Sequence, residues 1–300
     1  MNHVFLFTVL MIFSFTLHAQ EKIDEPHLLN LRTMLRNSVN KIHPSSSGAT
    51  MDLLLGYAAT NQISTNALTH LIMDMIDQSR QARDSGKPHA ELPRYTLLDE
   101  SNLLLLLGNF KSTNTIPFLQ RMSGSENVNM RVYSMHAYLY VTGVDSIPYL
   151  RGYLTRTNQT ERERYMIYRD IASRISNAEQ TKQDRNRIDE AKAFLLERAQ
   201  DEKKRSAANE LDKILCGMFP DYKTSVQREK VAAHFMNDDN EICRKRFTEI
   251  HENIQKTPKE KRKDFRAKGE LLDPERGKNR SDVQPRSEEH TSELQSLAYL

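Results

Sequence analysis

From Asp24 onward, apolar residues recur at helical spacing, one segment after another. Leu28, Leu31, Leu35, Val39 and Ile42 stand at i, i+3, i+7, i+11 and i+14, the stripe of an amphipathic helix. Pro26 suits the first turn of that helix and Pro44 its stop. Thr50 is placed to cap a short helix carrying Met51, Leu53, Leu54, Leu55 and Tyr57. Ser64 or Thr65 then restarts the chain, and Leu68, Leu71, Ile72, Met75 and Ile76 form one face, so the two segments read as a helical hairpin. Residues 84–95, with Gly86, Pro88 and Pro93, read as a loop.

The next stretch repeats itself. Leu103 to Leu107, Gly108 and Ile116-Pro117-Phe118-Leu119 are echoed by Tyr138 to Val141, Gly143 and Ile147-Pro148-Tyr149-Leu150, the two Ile-Pro pairs standing 31 residues apart. A helix, a glycine turn and a proline in the first turn of a second helix follow from backbone chemistry. Glycine allows a left-handed cap, and proline gives up only an N–H that the helix start leaves unbonded. Thr160 to Glu163 is a capping box opening another long helix. Beyond it, Ala207, Leu211, Ile214 and Met218 form a stripe that Pro220 ends, Val231 and Phe235 mark a helix, and Cys243, Phe247, Ile250 and Ile254 mark one more.

Over about 99–156 this arrangement resembles the HEAT family, including the short HEAT-like repeats of phycobilisome lyases. Arg131 and Ala137 occupy the place of that family's first-helix Arg and Ala positions. The resemblance implies an all-α chain, an α-solenoid of HEAT-like helical hairpins over 20–205 closed by a C-terminal helical cap over 206–255. Such hairpins stack because one alone cannot bury its apolar face. It also implies that second helices line a concave side, which makes Tyr149, Arg151 and Tyr153 the expected partner-binding residues, since aromatic and Arg side chains dominate interface hot spots. The lyase likeness leaves an enzyme or cofactor-handling accessory as the alternative, by analogy of fold alone.

The ends read differently. Val4 to Leu17 is apolar except for Thr8, Ser14 and Thr16, shorter than the ~20 residues of a membrane-spanning helix. Residues 1–19 are therefore expected to be a signal peptide cleaved after Ala19, with no stable membrane anchor afterwards and a periplasmic or extracellular destination. Residues 286–300 read as the in-frame translation of a sequencing adapter and are set aside from the fold.

Composition narrows the chemistry. Among 300 residues, 28% charged and 38% hydrophobic with ten Gly and ten Pro fit a globular helical protein. Residues 256–285 contribute +4 and 286–300 −2, so residues 1–255 carry only +1 of the chain's +3. That folded part lacks the charge of a nucleic-acid binder, and 256–285 reads as a solvated, disordered tail. Two Cys, no Trp and ten scattered His offer no haem-attachment or zinc pattern, so no cofactor or metal is expected. Cys216 and Cys243 form an even pair that invites a disulfide in an exported chain, although Cys216 points away from the stripe of its own helix.

His70, Asp74 and Asp77 share a helix face as a metal or proton-transfer set, or as its solvated side. Met130, Met135, Tyr133 and Tyr140 serve as core and shoulder, or as an adaptable contact surface. With no nucleophile elbow, His-x-x-x-His or phosphate loop in the sequence, the expected function is a non-catalytic scaffold that binds a protein or peptide.

Overall fold

The computed structural model describes residues 23–39, 47–85 and 100–262. The expected signal peptide, the Pro44 stop, most of the 84–95 loop, the adapter-like segment and the tail beyond 262 lie outside the described residues. Among those described the protein is all-α. Its helices are α1 (Glu25–Val39), α2 (Ser47–Thr60), α3 (Thr65–Asp84), α4 (Glu100–Asn109), α5 (Ile116–Met122), α6 (Val128–Thr142), α7 (Ile147–Tyr153), α8 (Glu161–Gln180), α9 (Arg185–Asp201), α10 (Arg205–Met218), α11 (Val226–Phe235) and α12 (Glu241–Gln255).

Side-chain caps set several starts. Ser64 accepts from the Ala67 N–H, Asn127 from Asn129 and Met130, Thr160 from Glu163, and Asn240 from Cys243, each satisfying a donor that the first turn leaves open. The capping box at α8 is complete, because the Glu163 carboxylate accepts in return from the Thr160 N–H at 2.6 Å.

The helices pack in series. α4 lies on α6, α6 on α8, and α8 on α10, while α5 and α7 lean on α6 and α9 respectively and α9 touches α11. The repeat is visible in the coordinates: a 3-10 turn precedes each short second helix, Thr113–Thr115 before α5 and Gly143–Ser146 before α7. The residues ahead of the two Ile-Pro pairs, Thr115 and Ser146, are both buried, as are Leu119 with Leu150 and Met122 with Tyr153.

The echo is not complete. Ile147 is 1% exposed whereas Ile116 is only half-buried, so the two are unequal anchors. The glycines differ as well. Gly143 sits at φ +57°, a conformation that side chains disfavour, and ends α6 as expected. Gly108 stays helical, and a Cβ built on it would lie 2.9 Å from the Ala137 Cα; its role is close approach of α4 to α6. The left-handed residue of that turn is Lys111, at φ +50°.

Charge is buried at the joints between hairpins. Arg131 on α6 donates through Nε and Nη2 to Glu163 on α8 at 2.5 and 2.9 Å, with the Glu163 side chain 1% exposed. The remaining Arg131 nitrogen holds the carbonyls of Ser125 and Glu126 ahead of α6. One residue on, Arg164 donates to Glu202 at 3.0 Å, to the Leu154 carbonyl and to Gln159, and Glu202 also accepts from Tyr168 and from the Lys203 and Lys204 N–H groups that open α10. A third joint centres on buried Asp212 of α10, which accepts from Arg228 on α11 at 2.6 Å and Arg246 on α12 at 3.2 Å.

The expected boundary at 205/206 falls inside one packed unit. α10 sends Ala207, Leu211 and Leu215 into the main core and Ala208 into a small cluster with Val231, Ala232, Phe235 and Phe247. Part of the expected tail, residues 256–262, lies among the described residues. Arg262 is held by Glu229 at 2.9 Å and by the Thr257 carbonyl, so residues 256–262 fold back on the last helices.

Two expected outcomes follow. Ile147→Ala should lower stability by roughly 2–4 kcal/mol, as for a fully buried large-to-small change, and Ile116→Ala by clearly less; chemical denaturation of both variants checks this. For Glu163, burial pushes the carboxyl up, but the hydrogen bonds from Arg131 and Thr160 and the Arg131 charge outweigh it and hold the group below its ordinary value of 4.5. Its contribution is therefore complete above that value and lost as pH falls through the lower folded one. Glu163→Gln should cost about 3–5 kcal/mol at neutral pH by leaving Arg131 buried and unpaired. Its melting temperature should also fall less steeply than that of the wild type on acidification below about pH 4.5, and equal slopes would remove Glu163 from this role.

Candidate functional site

Tyr149, Arg151 and Tyr153 lie on one short helix, but the structure turns each toward a different neighbour within the chain. The Tyr149 hydroxyl meets Ser123 Oγ at 2.7 Å, fixing α7 against the end of α5, and its ring lies 4.9 Å from that of Tyr138. Tyr153 is 1% exposed, packs in the main core and reaches Glu163. Burial first, and the Glu163 charge second, push its phenol well above the ordinary value. Arg151 pairs with Glu197 on α9 and lies 5.3 Å over the Phe194 ring. All three are ties between helices, and Tyr153 in particular is core, in correction of its expected place at a partner surface.

The cysteines are both free thiols. Cys216 packs on the edge of the main core, where burial and the Asp212 charge push its thiol up to about 11; Cys243 packs on the smaller cluster, and of the two alternatives, a disulfide or two thiols, the structure has the thiols. On α3, Asp77 accepts both terminal nitrogens of Arg121 on α5 at 2.7 and 3.2 Å, so the carboxylate beside His70 and Asp74 serves an interhelical ion pair. No group of three or more His, Cys, Asp or Glu suited to a metal ion occurs among the described residues, and no described helix is long and apolar enough to cross a membrane.

A different set remains open to solvent. On α6, Asn129, Tyr133, His136 and Tyr140 stand at i, i+4, i+7 and i+11 and are exposed or half-buried, while Met130 and Met135 of the same helix are buried. The parallel stripe on α8 carries Arg162, Met166, Arg169 and Ser173. Two contacts set the register between the stripes: His136 Nδ1 lies 2.8 Å from Asp170 Oδ2, and the Arg174 guanidinium lies 4.0 Å over the Tyr140 ring. Both contacts join residues 34 apart in sequence, so α6 and α8 run alongside each other in step. Among the described residues, the hydroxyls of Tyr133, Tyr140 and Tyr165 make no hydrogen bond within the chain. Arg162 and Arg169 form no ion pair there; Arg169 lies 5.9 Å from the Tyr165 ring.

The surface role first weighed for Tyr133 and Tyr140 thus suits their position, whereas the Met residues beside them are core. The signal separating them was available as helical phase, since Met130 and Met135 lie off the stripe Asn129–Tyr133–His136–Tyr140. Chemically, this face offers flat aromatic area, guanidinium groups and free hydroxyls, which suits recognition of a polar or charged partner.

Comparison with family models, curated proteins and solved structures gave no match to this chain.

The tie through Arg151 has a measurable size. Arg151→Ala and Glu197→Ala should each lower stability by about 0.5–1 kcal/mol, as for a half-exposed pair, and the double variant by less than the two losses added. Additive losses in a double-mutant cycle would show that the two side chains do not interact in solution.

Proposed function

We propose that the protein is an exported helical-repeat scaffold, an α-solenoid of HEAT-like hairpins, that binds another protein or a peptide and catalyses no reaction. The observation that carries this reading is the serial packing of α4, α6, α8 and α10. Stacked first helices give a continuous outer surface built from rigid elements, the usual platform of repeat proteins. The way charge is distributed supports it too. Glu163 and Glu202 each pair with one arginine of another segment and Asp212 with two, so the buried carboxylates serve helix order, while the aromatic and cationic side chains of the α6–α8 face with spare bonding capacity sit outside. The concave binding side first expected at α7 moves, in this reading, to the outer face of α6 and α8.

The test is affinity capture with the full chain as immobilised bait in the exported fraction of the source cell, followed by chemical crosslinking. The expected result is saturable retention of one protein at fixed stoichiometry, with crosslinks concentrated on α6 and α8. Absence of any saturable protein ligand, or turnover of a small molecule by the purified chain, would overturn the reading.

A further inference from the structure

We propose that the outer face of α6 and α8 docks an extended, acidic segment of a protein partner. This rests on the scaffold reading and adds to it the place and the chemistry of recognition.

Several arginines elsewhere on the molecule are matched by carboxylates, as Arg83 is by Glu100, Arg121 by Asp77 and Arg151 by Glu197, and others bond neutral groups, as Arg80 does the Met122 sulfur and Arg156 the Ser123 carbonyl. Arg162, Arg169 and Arg174 on α8 are not matched among the described residues. The carboxylates that could have served them are committed elsewhere: Glu161 accepts from the Ser206 N–H, Glu179 takes Lys192, and Asp170 faces His136. The neighbouring helix α6 contains no Asp or Glu in its sequence. The face therefore carries uncompensated positive charge in a chain that is close to neutral over residues 1–255. A partner bringing carboxylates would supply the missing complement.

The rest of the face fits a peptide. Tyr133 and Tyr140 present rigid, half-buried rings with free hydroxyls, a surface that loses little entropy when a chain lies across it. Along α8 the two guanidinium positions of the stripe, Arg162 and Arg169, are separated by about 10 Å at ~1.5 Å per residue, while Arg174 lies off the stripe over the Tyr140 ring. An extended chain in the polyproline II form rises ~3.1 Å per residue with about three residues per turn, so carboxylates at its first and fourth positions would share one face at about that separation. Nucleic acid fits less well. Its charges recur every ~1.7 Å of axis, and the stripe offers two cations, Arg162 and Arg169, beside the uncharged Asn129 of α6.

The experiment titrates the full chain into a fluorescent synthetic peptide with glutamates at its first and fourth positions, on a background of serine and leucine. Saturable binding is expected. Affinity should fall by roughly tenfold or more for the double variant Arg162→Gln, Arg169→Gln, with the melting temperature unchanged, and binding should vanish when the peptide's glutamates are replaced by glutamine. The inference is overturned if the acidic peptide fails to bind the wild type, if the double variant binds it as well as the wild type does, if the glutamine peptide binds equally, or if a single-stranded oligonucleotide binds more tightly and displaces the peptide.

The same double variant, used as bait in the capture experiment, separates this inference from the scaffold reading. Retention of the wild-type partner by the variant would sink the face assignment and leave the scaffold. Arginine-dependent peptide binding by a chain that captures no protein would do the reverse.

Discussion

Two buried charges, Arg131 and Glu163, set the geometry around which the other helices are arranged. Neither can be left alone in an apolar interior, since an unpaired buried ion costs several kcal/mol, so the fold must deliver both to one point. Glu163 receives Arg131 from α6, its own cap residue Thr160 and Tyr153 from the end of α7, while Arg131 gathers two carbonyls from the loop before α6. Four chain segments meet there. Arg164, next in sequence and about 100° around the helix, does the same for the end of α7 and the start of α10. The first turn of α8 is thus where one hairpin is registered against the next. Apolar packing alone would tolerate a shift by a turn; these hydrogen bonds do not.

Helix identity was legible in the sequence because apolar phase, caps and prolines agreed. Ser64, Thr160 and the Ile-Pro pairs all stand where helices begin. The stacking partner of each helix was less legible, since it depends on close contacts such as Gly108 against Ala137, which no local pattern announces. Gly108 looked like a turn residue by analogy with Gly143, yet its missing Cβ serves interhelical distance and leaves the turn to Lys111.

The binding residues were the hardest to read. Tyr153 and Arg151 have the composition of an interface, but an α7 of only seven residues must spend its side chains on three neighbours. The 31-residue offset contained the warning, because Tyr153 aligns with Met122, apolar and buried in the earlier copy. Charge partners were invisible for a related reason. Arg131 and Glu163 are 32 residues apart, and Arg174 looks no different in sequence from Arg164, although one lies over the half-buried Tyr140 ring and the other is interior. Only the three-dimensional neighbourhood tells a committed arginine from an available one.

α10 belongs to two apolar clusters at once, and this sets what the last two helices depend on. The cluster under α11 and α12 is a handful of side chains, too few to stand without a larger core beneath it, and its Ala208 and Asp212 come from a helix whose opposite side is seated on α8. α11 and α12 therefore rest on a surface that α9 and α10 supply, and α10 is itself seated on α8. Support for the last helices thus runs from the N-terminal side to the C-terminal side, the direction in which the polypeptide leaves the ribosome.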